Sequence, residues 1–121
     1  MDLKNVKRGR IKDYTKHRGY DYTPRDKERG YNPIWQIPVD IGLPCATQNE
    51  INGLDAQHLV DNGVKYVGEG ANMPCTPEAV DIFHDNDIAF APGKASNAGG
   101  VATSGLEMSQ NSLRMPWVRA E

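Results

Sequence analysis

A chain of 121 residues has room for one hydrophobic core and excludes two independently cored domains. Its 14 Lys and Arg against 16 Asp and Glu exclude a wholly basic nucleic-acid scaffold, and 38% hydrophobic residues together with 12 glycines exclude the composition of a disordered chain. The first thirty residues are polar and charged, and no apolar run approaches the length of a membrane span, so neither a signal peptide nor a transmembrane helix is expected.

The charge is unevenly divided. Residues 1–30 hold ten basic groups and five acids, whereas residues 31–121 hold four and eleven. In the first part Leu3, Val6, Ile11 and Tyr14 recur at helical spacing among Lys4, Lys7, Arg8, Lys12 and Lys16, which predicts an amphipathic basic helix ending near Gly19. A solvated face explains that charge better than a nucleic-acid contact does. Residues 18–33 are rich in Gly, Pro and charge without periodicity and read as a long exposed loop. The chain therefore divides into 1–34, basic helix and loop, and 35–121, the cored part.

From Pro38 onward strands and helices alternate. Val39–Leu43 is a short apolar run, followed by a loop and a helix through Ala56, Leu59 and Val60 that stops at Asn62-Gly63. Val64–Val67 is a second run, followed by a helix over Thr76–His84 whose Thr-Pro-Glu start combines an N-cap with proline at the first helical position. Ile88–Ala91 is a third, followed by a final helix carrying Val101, Met108 and Met115 with Leu106 and Leu113 beside them. This alternation predicts an α/β fold of about three parallel strands joined by crossover helices.

In such a sheet the strand-to-helix loops share the carboxyl edge, where ligands bind. The three loops here are C-A-T-Q-N-E (45–50), G-E-G-A-N (68–72) and G-K-A-S-N-A-G-G (93–100). Each pairs small residues, which let a ligand approach the backbone, with amides, which offer a donor and an acceptor together. Turn chemistry explains any one of them alone; three on one edge point to a site. The small residues opening the last helix leave its first N–H groups accessible to an anion, with Ser104 as a further donor, although close helix packing has the same composition.

Other chemistries are not indicated. Gly68-x-Gly70 has Met73 where a dinucleotide loop needs its third glycine, and Glu69 would repel a pyrophosphate. His17, His58 and His84 fall in predicted helices with charged neighbours and read as solvated surface groups. Lys94 reads as a solvated loop lysine. Cys45 and Cys75 stand thirty residues apart without nearby ligand partners, so no metal site is expected and reduced thiols in a cytosol fit best.

The segments W-Q-I-P-V-D-I-G-L-P-C-A-T-Q-N-E (35–50), G-V-K-Y-V-G-E-G-A-N-M-P (63–74) and F-A-P-G-K-A-S-N-A-G-G-V-A-T-S-G-L-E-M-S-Q-N-S (90–112) closely resemble glutamate dehydrogenase, as does the opening D-L-K-N-V-K-R-G-R-I-K-D-Y (2–14). Residues 15–34 match poorly. The resemblance is to the hexameric, NADP-linked microbial form, and S-G-L-E-M-S-Q-N separates it from the leucine, phenylalanine and valine enzymes. It implies a partial Rossmann-like domain, the second half of a cofactor-binding domain. Ala46 and Thr47 would lie near the nicotinamide ribose, Asn72 and Asn97 at the nicotinamide, and Val101 and Ser104 at the glutamate side chain, with the serine donating to the γ-carboxylate. Gly42 and Gly68 depart from the usual alanine, and Cys75 from a common threonine.

The implied reaction is reversible oxidative deamination of L-glutamate to 2-oxoglutarate and ammonia by hydride transfer to NADP, with NAD as the other possibility. A homo-oligomer, a hexamer in the family, in the cytoplasm is implied, with no nucleic acid, membrane or metal involved. The upstream substrate domain with its catalytic lysine and aspartate, and the glycine-rich turn, are not recognisable here. The chain is therefore expected to be a fragment with Met1 internal, carrying no catalytic residue and inactive alone. The alternative is a non-catalytic binding fragment that associates with intact subunits or other partners.

Overall fold

A computed structural model describes residues 6, 8–10, 12–14, 22–24, 28 and 30–118. Most of the expected basic helix lies outside them; Lys12, Asp13 and Tyr14 are helical, and the Asp13 carboxylate accepts the Arg10 N–H at 2.8 Å. His17 and most of the loop expected over 18–33 also lie outside the described residues.

A 3-10 helix, Pro33–Gln36, comes first, with the Asn32 side chain accepting the N–H of Ile34. Then follow β1 (Ile41–Gly42), α1 (Gly53–Asp61), β2 (Tyr66–Gly68), α2 (Pro77–Asp85), β3 (Ala89–Ala91), a four-residue helix α3 (Gly93–Ser96) and α4 (Ala98–Leu113). The strands form one parallel sheet in the order β1-β2-β3, with Gly42 opposite Val67 and Val67 opposite Phe90. This is a partial Rossmann-like α/β fold.

The helices begin and end for local reasons. At α1 the Asn52 side chain accepts the Asp55 N–H while the Asp55 carboxylate accepts the Asn52 N–H, a reciprocal capping box. Buried Asp55 also accepts the N–H of Asn32 at 2.7 Å, which ties the 3-10 helix to α1. At α2, Thr76 accepts the Ala79 N–H and Pro77 opens the helix. Both helices close in the same way. Gly63 (φ 82°) and Asp87 (φ 56°) take the left-handed conformation, and the next N–H turns back onto the helix, Val64 to the Leu59 carbonyl at 3.0 Å and Ile88 to the Phe83 carbonyl at 2.9 Å. The strands consequently start later than the apolar runs suggest, because Val64 and Ile88 spend their N–H groups on the helices.

The core is one-sided. Leu59 and Val67 meet the face of Gly42, Phe83 stacks on Phe90 with ring centroids 6.0 Å apart, and Ile51, Ala56, Val64 and Ala79 complete the buried cluster. On the opposite face Ile41 is 56% exposed and Tyr66 55%. The apolar residues carried by α4, Val101, Leu106, Met108 and Leu113, are exposed, and α4 has no buried residue. His58 differs from its expected solvated state: it is half-buried, edge-on to Tyr31 with centroids 5.1 Å apart, and its Nδ1 is buried without a hydrogen-bond partner among the described residues. Exposed His84 lies edge-on to Phe90.

Candidate functional site

All three strands point the same way, so their carboxyl ends deliver residues 43–52, 69–76 and 92–97 to one edge, as in other parallel sheets. The first two loops are laced by backbone bonds. Gly70 and Ala71 donate to the Pro44 carbonyl at 3.0 and 3.1 Å, Asn49 donates to Met73, and Ile51 and Thr76 bond across a parallel bridge. A Cβ at Gly70 would overlap the Cys45 sulfur, so a side chain there would force the exposed Cys45 thiol to move. Within the first loop the Glu50 carboxylate accepts the N–H groups of Ala46 and Thr47 at 2.9 and 3.4 Å, holding both exposed residues in a tight turn.

Glu69 joins the second loop to the third. Its residue is only 7% exposed. The carboxylate accepts the N–H of Gly93 at 2.7 Å and that of Cys75 at 3.3 Å, while the Ser96 hydroxyl donates to the Glu69 carbonyl. Burial, and then the neighbouring charge of Glu69, push the Cys75 thiol up to about 12, so it stays protonated and unreactive near neutrality. Cys45, by contrast, is exposed.

Above Glu69 the Asn97 amide nitrogen donates to the Ala71 carbonyl and to Asn72 Oδ1, both at 2.9 Å. These contacts orient both side chains, and among the described residues no partner takes Asn97 Oδ1 or Asn72 Nδ2. One acceptor and one donor are thus left without a partner among the described residues. They border a cleft of about 780 Å³ also lined by Glu69, Met73, Lys94 and Val101, within the size range of small-molecule sites.

The structure therefore brings Asn72, Asn97 and Val101 together. Ser104 is exposed one turn beyond Val101 on the same face of α4, outside the cleft lining, and Ala46 and Thr47 stand in the adjoining loop, also outside it. Sequence reasoning missed Glu69 as the tie between loops and missed Lys94 and Met73 as cleft walls. The available signal was position: Glu69 is the first residue after β2, on the ligand-binding edge. Among the described residues no group of His, Cys, Asp and Glu is arranged to hold a metal ion, and no helix is long and apolar enough to cross a membrane.

The family model for Glutamate/Leucine/Phenylalanine/Valine dehydrogenase matches residues 1–121. The chain belongs to this dehydrogenase family. It is 56% identical over 121 residues to an NADP-specific glutamate dehydrogenase of Haemophilus influenzae, covering all of this chain and 26% of that protein. It is 55% identical over the same length to an NAD(P)-specific glutamate dehydrogenase of Xylanibacter ruminicola, again covering 26% of it. Among solved structures, the glutamate dehydrogenase of Plasmodium falciparum superposes with a TM-score of 0.78 at 47% identity, over 99% of this chain and 25% of that one. The chain thus spans about a quarter of the length of the relatives it matches. For a member of this dehydrogenase family, the interlocked amides and the cleft lie on the sheet edge where parallel α/β proteins bind ligands.

Proposed function

We propose that this chain forms the nicotinamide side of the cofactor site of a glutamate dehydrogenase, linked to NADP or, alternatively, NAD. The whole protein would interconvert L-glutamate with 2-oxoglutarate and ammonia. The observation that carries the reading is the Asn72–Asn97 pair, whose open donor and acceptor complement a primary carboxamide, the group a nicotinamide presents. The residues present fit the cofactor in this respect, and when bound it supplies the hydride acceptor. Asn72 and Asn97 would fix the ring's orientation, Val101 would offer an apolar wall, and Ala46 and Thr47 would border the ribose. Ser104, on the face of Val101, would donate to the substrate γ-carboxylate.

In this reading residues 35–121 are the second half of a Rossmann-like domain and residues 1–34 an accessory segment. The protein would work in the cytoplasm as a homo-oligomer, and the chain alone would not turn over glutamate, since the relatives named as glutamate dehydrogenases are about four times as long. A second reading, a non-catalytic fragment that associates with other chains, is favoured by one observation, the exposed apolar sheet face carrying Ile41, Leu43 and Tyr66.

Titration with nicotinamide mononucleotide, followed by NMR of the side-chain amides, tests the cofactor reading. Asn72 and Asn97 resonances should shift together in the wild-type chain, and Asn97→Ala should abolish the response. Shifts confined to other regions would overturn the assignment. Glutamate-dependent reduction of NADP by the purified chain would overturn its expected inactivity.

A further inference from the structure

We propose that Glu69 makes this cleft select a cationic aromatic ring over its neutral counterpart, so that the site prefers the oxidised to the reduced nicotinamide. The inference rests on the cofactor reading above and adds to it a residue that sets preference between redox states.

Three observations carry it. Glu69 lines the same cleft as Asn72 and Asn97, and at 7% exposure its charge is shielded from solvent far more than an exposed side chain's. Its carboxylate is held by the N–H groups of Gly93 and Cys75, so it cannot swing away into water. Those donors are neutral. Among the described residues the only cationic side chain lining the cleft is Lys94, which is exposed and so is screened by water and salt. Glu69 is left as the less screened charge.

The ligand chemistry completes the argument. An oxidised nicotinamide ring carries one positive charge, and addition of hydride, a proton with two electrons, leaves the ring neutral. A carboxylate fixed in a partly dehydrated wall attracts the first form and has no comparable attraction for the second. Both forms have the same carboxamide, so the Asn72–Asn97 pair binds them alike and the difference falls to Glu69.

Two probes of nearly equal shape isolate the charge: 1-methylnicotinamide, a cation, and 3-methylbenzamide, which has carbon in place of the charged ring nitrogen. Dissociation constants are read from NMR titrations of the Gly93 amide and the Asn97 side chain. The cation should bind about five- to tenfold more tightly to the wild-type chain, a range set by a screened charge pair. In Glu69→Gln that ratio should fall below about twofold, whereas in Lys94→Gln it should hold or rise. A purely structural role for Glu69 would weaken both probes together and leave the ratio unchanged, which would overturn the proposal. Should Glu69→Gln fail to fold, the wild-type ratio decides, and equal affinities overturn it. If both probes shift Asn72 and Asn97 equally, the cofactor reading stands and only the role of Glu69 falls. If neither shifts them, both fall.

Discussion

Asn97 Nδ2 lies 2.9 Å from Asn72 Oδ1 although the two residues are 25 positions apart, and this bond aligns the amides of two different loops. The same nitrogen holds the Ala71 carbonyl, so removing it frees the loop as well as the site. Asn97→Ala should destabilise the fold by about 1 kcal/mol, the usual net worth of such hydrogen bonds. Asn97→Asp should do the same without a compensating gain, because a carboxylate would face the Ala71 carbonyl and Asn72 Oδ1, both acceptors. Urea titrations of the three proteins check this; an Asn97→Asp variant as stable as wild type would show that the amide is not oriented as described.

The two left-handed helix stops offer a matched comparison. Gly63 takes φ 82° without a side chain, whereas Asp87 takes φ 56° with one. Gly63→Ala should therefore cost about 1 kcal/mol, while Asp87→Gly should stabilise by a few tenths to about 1 kcal/mol. Thermal melts of both variants, with shifts of opposite sign, are the expected result.

Much of this architecture is legible in the sequence. Thr76-Pro77 marks the start of α2 because capping is local, and the alternation of apolar runs with helical spacing is enough for a parallel α/β sheet. Strand limits were not legible, since the N–H groups of Val64 and Ile88 are claimed by Leu59 and Phe83, a competition that hydrophobicity does not record. The four-residue α3 is too short to show a period. Glu69 reads in the sequence only as a charge that would repel a phosphate; its role as a tie between loops is not legible because its partners lie 6 and 24 residues downstream. The resemblance implies that Asn72 and Asn97 share one ligand, but the bond between them, across 25 positions, leaves no signal in the sequence.

Cys75 gives a pH dependence with a definite sign. Folding raises the thiol from an ordinary value of 9.0 to about 12. A raised value means that the stability linked to the protonated thiol is fully present below about pH 9 and is lost as pH climbs towards 12, where the unfolded chain alone has released the proton. Wild type should therefore lose stability more steeply than Cys75→Ala over that window. Denaturation midpoints of both proteins across the window test it; parallel curves would mean that the thiol is not held protonated by the fold. In native protein a thiol reagent should label Cys45 and spare Cys75.

Ser104 is a proposed substrate contact, and its test belongs to a whole enzyme carrying this segment. Ser104→Ala should lower kcat/KM for glutamate by about 1–3 kcal/mol in transition-state terms, the range for losing a hydrogen bond to a charged group. Norvaline, which lacks the γ-carboxylate, should be affected much less. An unchanged ratio of the two efficiencies would remove Ser104 from the substrate site.

The bare side of the sheet leads to a prediction about association. Helices α1 and α2 cover the face of Gly42, Val67 and Phe90, whereas Ile41, Leu43 and Tyr66 are each more than half exposed on the other, and Val101, Met108 and Leu113 add exposed apolar surface along α4. Strands of two or three residues bury little area, so the net stability left after conformational entropy should be small. Apolar surface of this extent favours contact with other chains. The purified chain should therefore self-associate, and its denaturation midpoint should rise with protein concentration, because association stabilises the folded state by mass action. Replacing Ile41 and Tyr66 with Thr should reduce the light-scattering mass and flatten the concentration dependence. A monomeric mass with a midpoint independent of concentration in the wild-type chain would show that this exposed face does not drive association.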